Sequence, residues 1–254
     1  MPVVSIEDCS LYYEAHGSGP TVVFLNDVGY GAWLWGWQHP ALCGPFETLV
    51  FDPRGTGRSV VENGVTDDID VFARDVERVL SAHGVRRVHL VGTGFGGTVA
   101  LAYAHQYDRV RSLTLMGTAL DGGRVSTDAL ELMGDTGRSS LEPCFSEAFL
   151  EHAEFIERIQ AWREKEDADP AAWQAQAEAW CGFSCDAPYE ITVPALVLHG
   201  VEDPVVPVEA SRELADGLPN GRFVELAGKH LAFIESSKHV NDEIIGFLEG
   251  VREE

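Results

Sequence analysis

The chain has 254 residues, of which 45% are hydrophobic and 23% are charged, a composition typical of a globular protein rather than a disordered one. It carries 41 acidic residues against 18 lysines and arginines, so its net charge is −23. Such a chain lacks the basic surface that nucleic acid or an anionic membrane would require, and neither is expected as a partner. The length favours one domain with an insertion over two complete domains.

The acidic, lysine-poor surface fits two origins, and the sequence leaves both open. It is expected of a protein adapted to high salt, and equally of an ordinary soluble protein from a GC-rich genome. No run reaches the roughly 18 apolar residues of a membrane span, and no basic region precedes an apolar run at the N-terminus. Five cysteines at irregular spacing predict free thiols, and we therefore expect a cytoplasmic location.

Short apolar runs alternate with helical patterns along the chain, which predicts βαβ units and a mostly parallel sheet. The first two runs, 2–6 and 10–16, are expected to form an antiparallel pair. A helix is predicted over 67–83, because its apolar residues recur at helical spacing and Gly84 follows as a stop. The remaining predicted strands are 21–26, 47–52, 88–93, 110–116, 195–200 and 221–226.

The stretch from 119 to 190 interrupts this rhythm. It contains helical patterns at 146–166 and 171–180 and holds three of the six tryptophans. Because it separates two strands that would otherwise be neighbours, we interpret it as a helical lid inserted over the sheet. The predicted core then consists of residues 1–118 and 191–254.

A strand followed by a glycine-rich turn and a helix stands at residues 88–105. The turn, Gly92–Gly97 (GTGFGG), keeps the spacing and the glycines of the nucleophile-elbow pattern G-x-S-x-G. In that pattern a sharp turn lifts a serine to the carboxyl edge of the sheet. Here the central residue is Gly94, so the expected nucleophile is missing.

Four further segments extend the match: 24–29 (FLNDVG), 52–59 (DPRGTGRS), 199–207 (HGVEDPVVP) and 228–235 (GKHLAFIE). The first resembles the oxyanion loop of the α/β-hydrolase family, and the second resembles its D-x-R-G-x-G-x-S loop. The third resembles the loop that carries the catalytic acid, and the fourth resembles the loop that carries the catalytic histidine. The chain is identified on these motifs as a divergent member of that family. The resemblance implies an α/β-hydrolase fold, with a mostly parallel eight-stranded sheet, helices on both faces and the inserted helical lid.

The resemblance also assigns the catalytic positions. His230 would be the catalytic histidine and Asp203 the acid that orients it, with Gly94 at the vacant nucleophile position. The backbone N–H groups of Phe95 and Val28 would form the oxyanion hole. Without a serine we exclude the ordinary acyl-enzyme mechanism and expect His230 to act as a base. Space above Gly94 could then admit a substrate or water.

The loop after the third strand is expected to border the substrate pocket, with contributions from Asn26, Asp27, Tyr30, Trp33 and Trp35. Its aromatic residues, together with the lid tryptophans, suggest an apolar or aromatic substrate. A carboxylate at position 27 would oppose an anion in the oxyanion hole. It could orient water or bind a polar substrate group, but a turn aspartate bonded to its own backbone is the preferred interpretation. Arg54 and Arg58 are expected to brace loops.

No cofactor and no metal are predicted. The turn also matches G-x-G-x-x-G, but it follows a late strand rather than the first strand of a dinucleotide-binding unit. The leading hypothesis is an enzyme acting on a small apolar or aromatic ester, lactone or thioester, with a small-molecule substrate as its partner. A non-hydrolytic lyase or isomerase and an inactive ligand-binding protein remain alternatives. The oligomeric state is left open.

Overall fold

The computed structural model describes residues 3–6, 8–62, 64–135 and 137–253. Within them the chain forms nine strands: β1 (Val3–Ile6), β2 (Cys9–Gly17), β3 (Thr21–Leu25), β4 (Glu47–Phe51), β5 (Val60–Val61), β6 (Val88–Thr93), β7 (Val110–Met116), β8 (Ala195–Gly200) and β9 (Gly221–Leu226). Every predicted strand is present. The first was predicted from residue 2, which lies outside the described residues, and the two-residue β5 was not predicted.

The strands form one sheet in the order β1-β2-β4-β3-β6-β7-β8-β9, with β5 paired to β2. The pairings of β2 with β1, β4 and β5 are antiparallel, and all pairings from β4 to β9 are parallel. The main path therefore has the eight strands expected from the resemblance. An α/β sheet of this kind places its functional loops at the carboxyl ends of the parallel strands.

Ten α-helices occur in the described part of the chain: α1 (His39–Leu42), α2 (Ile69–His83), α3 (Phe95–Gln106), α4 (Thr127–Gly134), α5 (Glu147–Leu150), α6 (Ala153–Glu166), α7 (Pro170–Cys181), α8 (Val208–Gly217), α9 (Ala232–Glu235) and α10 (Ser237–Glu253). Helix α2 begins two residues later than predicted because Asp68 is its N-cap, accepting a hydrogen bond from Asp70 N. It ends at Gly84, which has φ +80°.

The central strands are covered on both faces. Every residue of β3, β6 and β8 is buried, which only a sheet packed on both sides allows. Helix α2 packs against α3, and α1 packs against α10. Helix α3 is buried along most of its length and lies directly against β6, so the elbow at its N-terminus is held between rigid elements.

Helices α4 to α7 lie in the 119–190 segment predicted as a lid. This segment reaches the loop after β3, where Gln176 Oε1 accepts a hydrogen bond from Gly29 N at 2.7 Å. Gln176 Nε2 also donates to Thr56 Oγ1 at 3.0 Å. These bonds fasten α7 to two loops at the carboxyl edge of the sheet.

Candidate active site

The loops after β3, β6, β8 and β9 converge at the carboxyl edge of the sheet. They supply Asp27, Phe95, Asp203 and His230, respectively. All four residues are buried or nearly so, and the side chains of Asp27, Asp203 and His230 are 0% exposed. The sequence motifs, although far apart in the chain, thus meet at one place.

His230 is held by Asp203 in the geometry expected of a catalytic pair. Its Nδ1 lies 2.7 Å from Asp203 Oδ2. Asp203 Oδ1 accepts hydrogen bonds from Val205 N at 2.8 Å and Val206 N at 3.0 Å, which fix the carboxylate. His199 Nε2 approaches Asp203 Oδ2 at 3.2 Å, a second contact for which sequence reasoning assigned no role.

The charges of this group favour an imidazolium. Burial alone would lower the pKa of His230, but the carboxylates of Asp203 and Asp27 outweigh it and hold that pKa well above its usual value. Burial would likewise raise the pKa of Asp203, yet the positive charge of His230 and the hydrogen bonds from both histidines lower it. The direction of these two shifts favours a protonated His230 beside ionised carboxylates, whereas the sequence led us to expect His230 to act as a base.

The turn between β6 and α3 has the sharp geometry of a nucleophile elbow. Gly94 adopts φ +50° and ψ −116°, a region that strongly favours glycine. The turn brings Phe95 N to the carboxyl edge of the sheet, where it faces the loop after β3. The two predicted oxyanion-hole donors, Phe95 N and Val28 N, point at the same acceptor atom.

That acceptor is the side chain of Asp27. Its Oδ1 accepts hydrogen bonds from Val28 N at 2.8 Å and from Phe95 N at 3.0 Å. Its Oδ2 lies 3.0 Å from His230 Nε2. These two atoms are close but misaligned for a hydrogen bond, and neither has another hydrogen-bond partner among the described residues. One carboxylate therefore fills the oxyanion hole and faces the histidine at the same time.

Two expectations about this place need correction. The space above Gly94 is not open to substrate or water, because a Cβ built on Gly94 would lie 2.6 Å from Asp27 Cγ. The preferred interpretation of Asp27 as a turn residue is incomplete. It does bond the neighbouring Val28 N, but it also bonds Phe95 N, 68 residues away, and contacts His230.

The other residues predicted to bind substrate have different surroundings. Asn26 donates to Tyr30 O and Phe51 O and accepts from Trp35 Nε1, so its amide braces the loop. Trp35 is fully buried between Phe24 and Phe233. The structure therefore does not support a substrate contact for Asn26 or Trp35.

Tyr30 and Trp33 face the 119–190 segment instead. The Tyr30 hydroxyl lies 3.3 Å from Cys144 Sγ, and burial raises its pKa well above the usual value. Trp33 Nε1 donates to Asp167 Oδ1 at 2.8 Å, and its ring stacks on Trp162. Both aromatic residues lie where the loop meets the segment, a placement compatible with their predicted role at the pocket boundary.

Trp180 is the aromatic residue placed against the histidine. Its ring centroid lies 5.9 Å from that of His230. Sequence reasoning counted Trp180 among the tryptophans of the segment without distinguishing it from the others. No local pattern could have done so, because the contact depends on how α7 crosses the sheet edge.

The two arginines in the loop after β4 form buried and partly buried ion pairs. Arg54 is 2% exposed and forms two hydrogen bonds with Asp75, at 2.7 and 2.9 Å. Arg58 pairs with Asp52 at 3.2 Å and with Glu14 at 2.9 Å. Both arginines therefore brace loops, as the sequence led us to expect.

Two features are absent from the described residues. No group of three or more histidine, cysteine, aspartate or glutamate side chains is placed to hold a metal ion. Within the same part of the chain, no helix has the length and apolar character needed to cross a membrane.

Comparison with known families identifies the family of this chain. The model of the alpha/beta hydrolase family matches residues 22–242. The chain belongs to this family and is a hydrolase-family enzyme.

Relatives and solved structures agree with this assignment. A protein of Azorhizobium caulinodans named "Putative carbamate hydrolase RutD" is 31% identical, with 97% of this chain and 98% of the relative covered. A malate-bound thermophilic esterase from Thermogutta terrifontis has a TM-score of 0.85 at 26% identity, covering 99% of both chains. The enol-lactonase of Burkholderia xenovorans also has a TM-score of 0.85, at 25% identity, covering 98% of this chain and 100% of its own.

Proposed function

We propose that the protein hydrolyses a small, largely apolar or aromatic carbonyl compound without a serine nucleophile. The proposed substrate classes are esters, lactones, thioesters and carbamates. Carbamates are included because of the name of the Azorhizobium caulinodans relative. The observation that carries the proposal is the Asp203–His230 contact of 2.7 Å beside two converging backbone N–H groups. A proton-transfer group and an oxyanion hole are the minimum that carbonyl hydrolysis requires.

For such a substrate, Asp27 must first leave the oxyanion hole. The substrate carbonyl oxygen would then replace Asp27 Oδ1 between Val28 N and Phe95 N. With one carboxylate moved away, the pKa of His230 falls, and the imidazole can accept a proton from water. The water oxygen adds to the carbonyl carbon, and His230 returns the proton to the departing alcohol, thiol or amine.

The 119–190 segment would act as a lid in this reaction. The reacting atoms of Asp27 and His230 are buried, and Trp180 covers the histidine ring. A cavity of about 340 Å³ lies between the segment and the loop after β3, lined by Gly29, Arg163, Asp167 and Trp173 among others. Movement of α7 away from Gly29 would connect this space with the histidine. The free thiols of the five cysteines fit the proposed cytoplasmic location.

Turnover of a panel of aryl esters, lactones, thioesters and carbamates, in low and high salt, tests the proposal. His230→Ala is the variant, and Asp216→Asn, an exposed position on α8, is the matched control. Turnover that persists in the control and is lost in His230→Ala supports the proposal. Turnover unaffected by His230→Ala, or none with any substrate, contradicts it and directs attention to the lyase, isomerase or binding alternatives.

A further inference from the structure

We propose that Asp27 is a nucleophile supplied by the oxyanion loop, and that it attacks a saturated carbon bearing a leaving group, as in an alkyl halide or an epoxide. The inference shares His230 and Asp203 with the proposed function but goes beyond it in the nucleophile and in the substrate class. It stands on the contacts of the Asp27 carboxylate.

The Asp27 carboxylate has the position expected of a nucleophile on the elbow. The carboxylate occupies the place where a side chain on the elbow residue would be, since a Cβ on Gly94 would lie 2.6 Å from Asp27 Cγ. The elbow therefore presents a nucleophilic group after all, delivered from β3 rather than from β6. Carboxylates act as nucleophiles in enzymes that form ester intermediates.

The two carboxylate oxygens of Asp27 have different environments. Oδ1 is held by two N–H groups, whereas Oδ2 is buried and faces His230 Nε2 at 3.0 Å without the alignment of a hydrogen bond. Each carboxylate oxygen has about two lone-pair positions, so Oδ2 keeps one that the histidine does not engage. Oδ2 is thus the oxygen that would attack.

The oxyanion hole is placed to stabilise charge on Asp27 itself. Because Val28 N and Phe95 N bind Asp27 Oδ1, they would stabilise negative charge that develops on Asp27 itself. Such charge develops when water attacks an ester formed on Asp27. The step that forms this ester cannot use the same oxyanion hole, because Asp27 Oδ1 already occupies it. Displacement at a saturated carbon needs no such hole, since it forms no oxyanion on a carbonyl group.

In the first step, an Oδ2 lone pair forms a bond to the substrate carbon, and the carbon–leaving group bond breaks. The leaving group departs with the bonding electrons, as halide or as the alkoxide of an opened epoxide, which the imidazolium of His230 can protonate. Asp27 becomes a neutral ester whose carbonyl oxygen, Oδ1, stays between the two N–H groups.

In the second step, the loss of charge on Asp27 removes one of the two carboxylates that favour the imidazolium. With a halide substrate, His230 releases its proton to solvent. With an epoxide, His230 has already given this proton to the alkoxide in the first step. Neutral His230, oriented by Asp203, accepts a proton from water as the water oxygen adds to Asp27 Cγ. The tetrahedral intermediate collapses, and the alcohol leaves with the proton that His230 took from water. The new carboxyl group of Asp27 then gives its own proton to His230, which restores the carboxylate and the imidazolium. The sum is substrate plus water giving alcohol and acid, or a diol from an epoxide.

The test uses the full-length protein with 1-bromohexane and 1,2-epoxyhexane as probes. His230→Gln should retain the first step and block the second, so intact mass should rise by one alkyl group. Digestion with a glutamyl endopeptidase, which cuts after Glu14 and Glu47, should place that group in the 15–47 peptide, and fragmentation of this peptide should assign it to Asp27 rather than to Cys43. The double variant Asp27→Asn/His230→Gln shows how much adduct forms on other residues, cysteines included.

A single turnover in H₂¹⁸O by wild-type protein gives an independent readout. If Asp27 is the nucleophile, the first product molecule carries ¹⁶O and Asp27 gains ¹⁸O; direct attack by water gives the reverse. Asp27→Asn should lower turnover by about 10⁴-fold or more, as expected for loss of a covalent nucleophile, while Asp216→Asn should not change it.

The outcomes separate this inference from the proposed carbonyl hydrolysis. Ester turnover that depends on His230, without adduct or label on Asp27 from either probe, overturns the inference and leaves the proposed function standing. Label on Asp27 without turnover of any carbonyl substrate supports the inference and contradicts the proposed function. Absence of both kinds of turnover, with folding shown by circular dichroism, overturns both.

Discussion

Asp27 and Gly94 are sterically coupled: a Cβ on residue 94 would lie 2.6 Å from Asp27 Cγ, so the two positions cannot both carry these side-chain atoms without rearrangement. Gly94 stands where the nucleophile-elbow pattern has its serine, and the Asp27 carboxylate fills the space that a side chain there would take. The carboxylate comes from the loop after β3, and the absence of a Cβ at residue 94 leaves room for it.

This coupling predicts the result of exchanging the two positions. Gly94→Ser alone should clash with Asp27, lower the free energy of unfolding by about 1–3 kcal/mol and yield no reactive serine. Asp27→Gly/Gly94→Ser should place the serine beside His230 and give a burst of nitrophenol from p-nitrophenyl acetate. Its ester turnover should exceed that of Asp27→Gly by at least about 10²-fold. The gain should remain well below the roughly 10⁶-fold that serine contributes in a mature triad. A reactive serine in the single variant would contradict the steric argument.

The protonation of His230 gives a second prediction. Because Asp203 and Asp27 both raise the pKa of His230 against the effect of burial, Asp27→Asn should lower that pKa. Long-range ¹H–¹⁵N correlation spectra should show both ring nitrogens of His230 protonated at neutral pH in the wild type, with deprotonation at lower pH in the variant. Asp216→Asn provides the control. An unchanged titration would mean that Asp27 does not influence the histidine.

Sequence reasoning identified the fold through strong local signals. The strands at 21–25 and 88–93 are apolar throughout because both faces of the sheet are covered, and the glycine-rich turn after the second marks the elbow. The motif loops likewise located Asp203 and His230, because each follows a recognisable strand. These features depend on neighbours along the chain.

The position of the Asp27 carboxylate could not be read in the same way. Its second hydrogen bond, to Phe95 N, spans 68 residues, and its contact with His230 joins β3 to the loop after β9. One signal was available: the oxyanion-loop motif contains a carboxylate, Asp27, and the elbow motif has Gly94 in place of the serine. Reading these as compensating changes would have required the distance between them, which the sequence does not contain.

The raised pKa of His230 also predicts how stability depends on pH. A group whose pKa is higher in the folded state stabilises that state fully below its unfolded value, here 6.5, and loses this contribution as pH rises through the folded value. The difference in unfolding free energy between wild type and His230→Gln should therefore shrink as pH increases above 6.5. Urea denaturation from acidic to alkaline pH measures it. A difference that grows with pH would show that the folded-state pKa is lowered.

The buried Arg54–Asp75 pair should be important for stability rather than for chemistry. Both side chains are 2% exposed, so Asp75→Ala would leave a buried guanidinium without its main partner. We expect a loss of about 3–5 kcal/mol in the free energy of unfolding. Glu225→Ala removes a carboxylate that is 49% exposed from its pair with Arg212 and should cost only about 0–1 kcal/mol. Equal losses in the two variants would contradict the dependence on burial.

The attachment of α7 to the loop after β3 should control access to the site. Gln176→Leu removes the acceptor of Gly29 N and the donor to Thr56 Oγ1, leaving buried polar groups unpaired. The expected cost is about 1–3 kcal/mol. If the 119–190 segment opens as a lid, hydrogen exchange at residues 170–181 should quicken in this variant while exchange in β6 stays unchanged. Gln174→Leu, at an exposed position two residues earlier on the same helix, is the control. Equal acceleration in β6 would indicate global destabilisation instead of local opening, because α7 would then be no less stable than the core of the sheet.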